Sequence, residues 1–338
     1  MPSDSSCGRP APGPALAMAL APARRSLLLA TLGGVAALAG CGVDWDAVRR
    51  DDLPTPSPPR LEPQDVARFA AVGTIDGLRK LALALTSDPA GVGQRAAEQH
   101  ARQLMQLGPL PGPVPAASAT PWGWPSSSRT QPQPSTLQVL SQAEAVASAE
   151  LLAGAVTTGR TGLPGPLARL LASLAASCAA HGVLTGGRAA ALELSAGGAL
   201  SPSGATGDLM ALIEADRAAA YAYGVLTVHL QDGPRESGRQ ARSAHRQRSE
   251  TLAGLALDAG ADVPPAGPAY AVQAPQDAAG ARALALRLEL DVAAAAGALV
   301  SSAAGGWRTL GAHVLVQATV AAVRWGEPPA FPGIPELV

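Results

Sequence analysis

Apolar residues recur at spacings of three and four along most of this chain, and no stretch shows the sustained alternation of a half-buried strand. Behind Glu62-Pro63, from about Gln64, the residues Val66, Phe69, Ala70, Ile75, Leu78, Leu81 and Leu83 supply the apolar face of a first helix. Ser87-Asp88-Pro89 breaks it and offers a new cap. Ala97, Ala101, Leu104 and Met105 then mark a second helix over 92–107, stopped by Gly108-Pro109. A third helix is predicted over about 135–157. A fourth covers about 164–184, with Leu167, Leu170, Leu171, Leu174 and Cys178 at helical spacing. After a Gly/Ser/Ala-rich interval from Gly186 to Gly204 the plan repeats. Helices are predicted over about 208–230, 236–259, 276–300 and 307–325, with stops at Gly233-Pro234 and at Gly260 before Pro264-Pro265. The tail GEPPAFPGIPELV reads as extended.

Two groups of four helices predict an all-α chain of two helical bundles in tandem, over 64–184 and 207–325. Alanine at many core positions implies close helix axes and thin cores. The Pro/Ser-rich connection from Leu110 to Pro134, with Trp122 and Trp124, reads as a long exposed loop.

The N-terminal 63 residues follow a different pattern. Arg24-Arg25 precede an apolar run that closes on Leu38-Ala39-Gly40-Cys41, which has the layout of a secretory signal. The run from Ser26 to Gly40 is roughly 22 Å long as a helix, too short for a hydrocarbon core of roughly 30 Å. Leu-Ala-Gly-Cys resembles a bacterial lipobox, in which the cysteine sulfur takes a diacylglyceryl group and becomes the mature N-terminus. Residues 1–40 are therefore read as signal and pre-region, with Met18 a suitable start for a conventional signal. Residues 41–63 become a proline-rich tether. Arg24 to Leu28 also resembles a twin-arginine motif, and the export route stays open between that and the general one. These features place the chain outside the cytoplasm, lipid-anchored through Cys41 to the outer face of the cell membrane.

Composition narrows the partners. Loss of residues 1–40 removes Arg9, Arg24, Arg25 and Asp4, which reduces 25 basic and 26 acidic side chains to 22 and 25. That balance gives no case for nucleic acid. Aromatics at 3% argue against stacking on bases or sugars. With Cys7 discarded and Cys41 lipidated, Cys178 has no internal disulfide partner.

Polar residues on the predicted helices are the candidates for chemistry. Glu214, Arg217 and Tyr221 share one side of their helix, His245 and Arg248 lie on the next, and Glu289 on the one after. Facing helices could bring them together as a buried ion-pair network or as the wall of a small-ligand pocket. A dinuclear iron bundle needs Glu-x-x-His on two helices, and no Glu-x-x-His occurs, so no metal or cofactor is expected there. In the first group Cys178 and His181 stand three apart, with Glu98 and His100 on the second helix and Glu144 on the third. A thiolate–imidazole pair can bind metal or act as nucleophile and base. A cysteine inside an apolar stripe is more simply core filler. No residue is assigned as catalytic. Arg235, Arg239, Arg242 and Arg246 form a basic stripe, read as a solvated face and alternatively as a contact for anionic lipid.

Two stretches carry a resemblance. LIEADRAAAYAYGVLTVHL, and ARSAHRQRSETLAGLALDAGADVPPAGPAY after it, resemble an actinobacterial ferritin-like domain of unknown function found in lipoproteins (DUF4439-like). The matching features are Tyr221 to Gly224, Ala244 to Arg246, Gly260, Pro264 to Tyr270, Leu288-Glu289 and Ala321 to Trp325. The resemblance implies ferritin-like four-helix bundles and no particular activity. Family members often carry an acid–His pair in the first helix, where this chain has Asp216-Arg217. The expectation is an exported, lipid-anchored bundle protein with a binding or envelope structural role, with homo-oligomerisation left open. The alternatives are a degenerate ferritin-like metal or redox enzyme and a small-ligand binding protein.

Overall fold

The computed structural model describes residues 61–85, 88, 90–109, 136–156, 162–188, 192–195 and 204–337. The signal, Cys41, most of the tether, Trp122 and Trp124 lie outside them. Among the described residues eight α-helices follow one another: α1 Pro63–Leu83, α2 Val92–Leu107, α3 Leu137–Val156, α4 Gly165–Leu184, α5 Gly204–Leu226, α6 Asp232–Asp258, α7 Ala278–Ser302 and α8 Gly305–Ala322. The described residues form an all-α, multi-helix bundle, consistent with a ferritin-like arrangement.

Local chemistry sets the ends. Asp88 accepts from the amides of Val92 (2.8 Å) and Gly93 (2.7 Å), which caps α2 where the sequence places a cap. Asp277 does the same for α7 through Gly280 N at 2.7 Å. The Gly233-Pro234 pair does not stop a helix as expected. α6 begins at Asp232, so Pro234 falls in its first turn, where a missing N–H costs nothing.

Helices α3 and α4 pair, as do α7 and α8, while α5 packs on α6 and α7. α4 also packs on α7 and α8, so the two helix groups share one hydrophobic core. Leu151, Leu171, Leu174, Leu212, Leu299 and Leu315 belong to it together. The described residues, between 61 and 337, all fall within one compact unit.

The tail after Trp325 is part of that core. Pro328, Ala330, Phe331 and Ile334 are buried, so the C-terminal group runs past the expected boundary at 325. Gly333 turns this strap with φ +80°, and its carbonyl oxygen accepts from Arg169 Nε (2.9 Å) and Nη2 (2.6 Å) on α4. On α7 a Cβ at Gly297 would lie 2.4 Å from that same oxygen, so only glycine lets the strap pass.

Candidate functional site

Two buried polar clusters interrupt the apolar interior. The first is built on α5, α6 and α7. Apolar Leu209, Leu212 and Ile213 turn one face of α5 inward, and Asp216 and Tyr223 continue it at seven-residue spacing from Leu209. Arg248 on α6 grips Asp216 with Nε at 2.8 Å from Oδ2 and Nη2 at 2.5 Å from Oδ1. His245 bridges two carboxylates, with Nδ1 2.7 Å from Asp216 Oδ1 and Nε2 3.1 Å from Glu289 Oε1. The Tyr223 hydroxyl donates to Glu289 Oε1 at 2.6 Å, and its ring stacks on His245.

Charge in this cluster is balanced from within. Burial would raise the Asp216 pKa, but Arg248 and His245 hold it below the ordinary carboxylate value. Burial would lower His245, but Asp216 and Glu289 raise it, so the imidazolium form is favoured. Two carboxylates thus meet one guanidinium and one imidazolium. Only Glu289 Oε2 lacks a hydrogen-bond partner here.

His245, Arg248 and Glu289 therefore meet as the sequence suggests, but Glu214, Arg217 and Tyr221 do not join them. The Glu214 side chain is 51% exposed and pairs with Arg217 at 3.5 Å on the surface. Arg217 also donates to the Pro264 carbonyl, and Tyr221 is exposed beside Tyr270. The inward residues are Asp216 and Tyr223, two positions further along. The seven-residue register with Leu209 was the signal for them. A cavity of about 900 Å³ opens between α3, α4, α6 and α8, with His245, Arg248 and Glu289 on its wall and none of Glu214, Arg217 and Tyr221.

The second cluster joins α2, α3 and α4, and among the described residues sets one carboxylate against two imidazoles with no guanidinium. His100, Glu144 and His181 are 0%, 0% and 3% exposed. Glu144 Oε1 lies 2.8 Å from His100 Nε2 and 3.5 Å from His181 Nδ1. One donor atom from each of the three residues lies within 4.8 Å of the others. Around a tetrahedral ion with bonds of about 2.0–2.2 Å, ligand atoms stand about 3.3 Å apart, so these three are already near such a spacing. His181 Nδ1 and Glu144 Oε2 are buried without a hydrogen-bond partner. Among the described residues no Arg or Lys pairs with Glu144.

The far side of each ring is held. His100 Nδ1 is 2.9 Å from Gln103 Oε1, and His181 Nε2 is 2.9 Å from Gln99 Oε1. Burial would raise the Glu144 pKa, yet His100 and His181 hold it at about 2. Burial would lower His100, yet Glu144 and Gln103 raise it. Cys178, one turn before His181, is fully buried. Burial first and Glu144 second push its thiol well above the ordinary value, which leaves a neutral S–H and fits core filler better than a nucleophile. A dinuclear carboxylate site does not fit, because the cluster has one carboxylate and Cys178 where Glu-x-x-His would put its acid. A mononuclear site of two histidines and a carboxylate does fit, and its orphaned nitrogen and oxygen are the observation that says so.

Residues 209–336 match the model of a family described as a domain of unknown function (DUF4439). A conserved hypothetical protein, Rv2844, from Mycobacterium tuberculosis, known from its crystal structure, is 27% identical over 37% of this chain and 96% of its own, with a TM-score of 0.35. No curated protein matches. Asp216, His245 and Glu289 lie inside the matched region, whereas His100, Glu144 and His181 lie before it. The C-terminal helices are thus similar to a domain family whose function is unknown.

Proposed function

We propose that this protein binds one divalent transition-metal ion through His100 Nε2, Glu144 and His181 Nδ1. The observation that carries the reading is the contrast between the two clusters. Around Asp216 and Glu289 the chain provides its own cations, Arg248 and His245. Around Glu144 it provides, among the described residues, two imidazoles and no guanidinium, and leaves a ring nitrogen as well as a carboxylate oxygen without partners, where the first cluster leaves one oxygen, Glu289 Oε2. A bound cation satisfies both atoms at once, where a single proton satisfies one contact. Zinc and ferrous iron are the ions whose donor preferences suit two imidazoles and a carboxylate. The near-complete burial of all three residues supports an enclosed ion within a binding module. The full chain, purified without chelators, should carry about one equivalent of zinc or iron by elemental analysis, as expected of a stoichiometric ligand set. Less than about 0.1 equivalent, unchanged after incubation with zinc or ferrous iron, would overturn the reading.

For location, we infer from the sequence that the protein is exported and lipid-anchored at Cys41 on a proline-rich tether. Lipid-precursor labelling should disappear in Cys41→Ala, and unchanged labelling would contradict the anchor. Contact of the α6 arginines with anionic lipid belongs to the same proposal. Its support is limited to Arg235, Arg239, Arg242 and Arg246, of which Arg239 and Arg246 already pair with Glu236 and Glu250. A tandem origin of the two helix groups is supported by a histidine–carboxylate cluster in each.

A further inference from the structure

The C-terminal strap reaches the Glu144 cluster through two glutamines. Gln103 Nε2 donates to the Ala330 carbonyl at 2.8 Å and to Ser177 Oγ at 2.9 Å. Gln99 Nε2 donates to Glu327 Oε1 at 3.1 Å and faces the Pro328 carbonyl at 3.4 Å. The carbonyls of Ala330 and Pro328 and the Glu327 carboxylate can only accept. A flipped amide would set oxygen against oxygen at both places, so each amide orientation is fixed by its partners. Both Oε1 atoms must then face the histidines. His100 Nδ1 and His181 Nε2 must donate to them, which leaves His100 Nε2 and His181 Nδ1 as the atoms turned on Glu144.

The strap is firm enough to impose this. Phe331 and Ile334 are buried in the common core. Arg169 ties the strap to α4, the helix of His181, through the Gly333 carbonyl and Glu336. Gly297 lets it lie against α7. Its residues belong to the DUF4439-like region, and the rings they orient lie outside it.

We infer that the C-terminal strap is a positioning element for the Glu144 cluster: acting through Gln99 and Gln103, residues 327–330 hold an N–H at His181 Nε2 and at His100 Nδ1, so that His181 Nδ1, and His100 Nε2 once a metal ion displaces the proton it donates to Glu144, are the atoms that meet the ion. Histidine ligands of metals commonly donate their second ring N–H to an outer acceptor, and loss of that acceptor costs about 10–100-fold in affinity. The inference takes its consequence from the metal reading, but the ring tautomers can be read without metal.

Two measurements on the full chain test it. Long-range 1H–15N spectra of the imidazole rings should show His181 protonated at Nε2 and bare at Nδ1 in the metal-free protein, and Gln99→Leu should abolish that pattern. Zinc affinity, by competition with a chromophoric chelator, should fall about 10–100-fold in Gln99→Leu and in Gln103→Leu. Thr319→Val, buried and bonded only to the Leu315 carbonyl of its own helix, controls for lost stability and should leave both readouts alone. Should Gln99→Leu fail to fold, Glu327→Ala removes one acceptor from the half-exposed edge of the strap and should shift both readouts the same way by less. An unchanged ring pattern in the Gln99 or Glu327 variant, with zinc affinity preserved, would overturn the positioning role. A wild-type chain that takes no zinc but shows the fixed tautomer would overturn the metal reading alone.

Discussion

Gln103 stands between His100 and the Ala330 carbonyl, accepting from the ring at 2.9 Å and donating to the strap at 2.8 Å. This one side chain links residue 100 to residue 330, and so ties the buried cluster of the N-terminal helices to the end of the chain. The space for that link depends on Gly297. Gly297→Ala sets a methyl group against backbone rather than against a flexible side chain, and overpacking of that kind costs about 1–3 kcal/mol. The variant should show that loss in urea unfolding and should also bind zinc more weakly, although Gly297 touches neither histidine.

Acid and base should each destabilise the metal-free protein. Glu144 is depressed to about 2 from 4.5, so its stabilisation is complete above 4.5 and is lost as pH falls toward 2. His100 is raised above 6.5, so its stabilisation is complete below 6.5 and is lost as pH climbs through the raised value. Asp216 and His245 are shifted in the same two directions. The urea midpoint of the metal-free chain should therefore peak between about 4.5 and 6.5 and decline on both sides. Zinc should extend the stable range upward, because it takes the place of the imidazole proton.

Arg248 should be costly to remove alone. Arg248→Leu leaves the Asp216 carboxylate buried with His245 as its only cation, a loss of about 3–5 kcal/mol. Adding Asp216→Asn should recover part of it, because the stranded charge is gone. A double-mutant cycle in urea should show strong coupling, and simple additivity would contradict the balanced network.

Glu214→Ala should change stability by no more than about 0.5 kcal/mol, as expected for a surface pair with an exposed carboxylate. Asp216→Ala, two residues away, should cost several times more, with both variants compared by urea unfolding.

That contrast shows what was legible in the sequence. The α2 span of 92–107 and its Asp88 cap follow from breaker residues and apolar spacing, which act within a few residues. On α5 the spacing of the polar residues 214, 217 and 221 leads to the wrong face, because surface pairs also recur at three and four. The apolar register of Leu209, Leu212 and Ile213 leads to Asp216 and Tyr223. His100, Glu144 and His181 each stand out as polar residues on apolar helices, but they come from three helices, and only their packing brings them together. Gln99 and Gln103 carry no signal at all, because a helical glutamine is ordinarily a surface residue. The tail has the composition of a loop. Its burial depends on Gly297 and Arg169, far away in sequence.

A metal ion held by His100, Glu144 and His181 can be located directly in a crystal. The most direct measurement is anomalous diffraction from crystals of the full chain grown with zinc, recorded on both sides of the zinc absorption edge. A peak is expected about 2.0–2.2 Å from His100 Nε2, His181 Nδ1 and a Glu144 oxygen, absent from crystals of Glu144→Gln. Zinc-grown crystals with no peak there, and with His100 still bonded directly to Glu144, would contradict it.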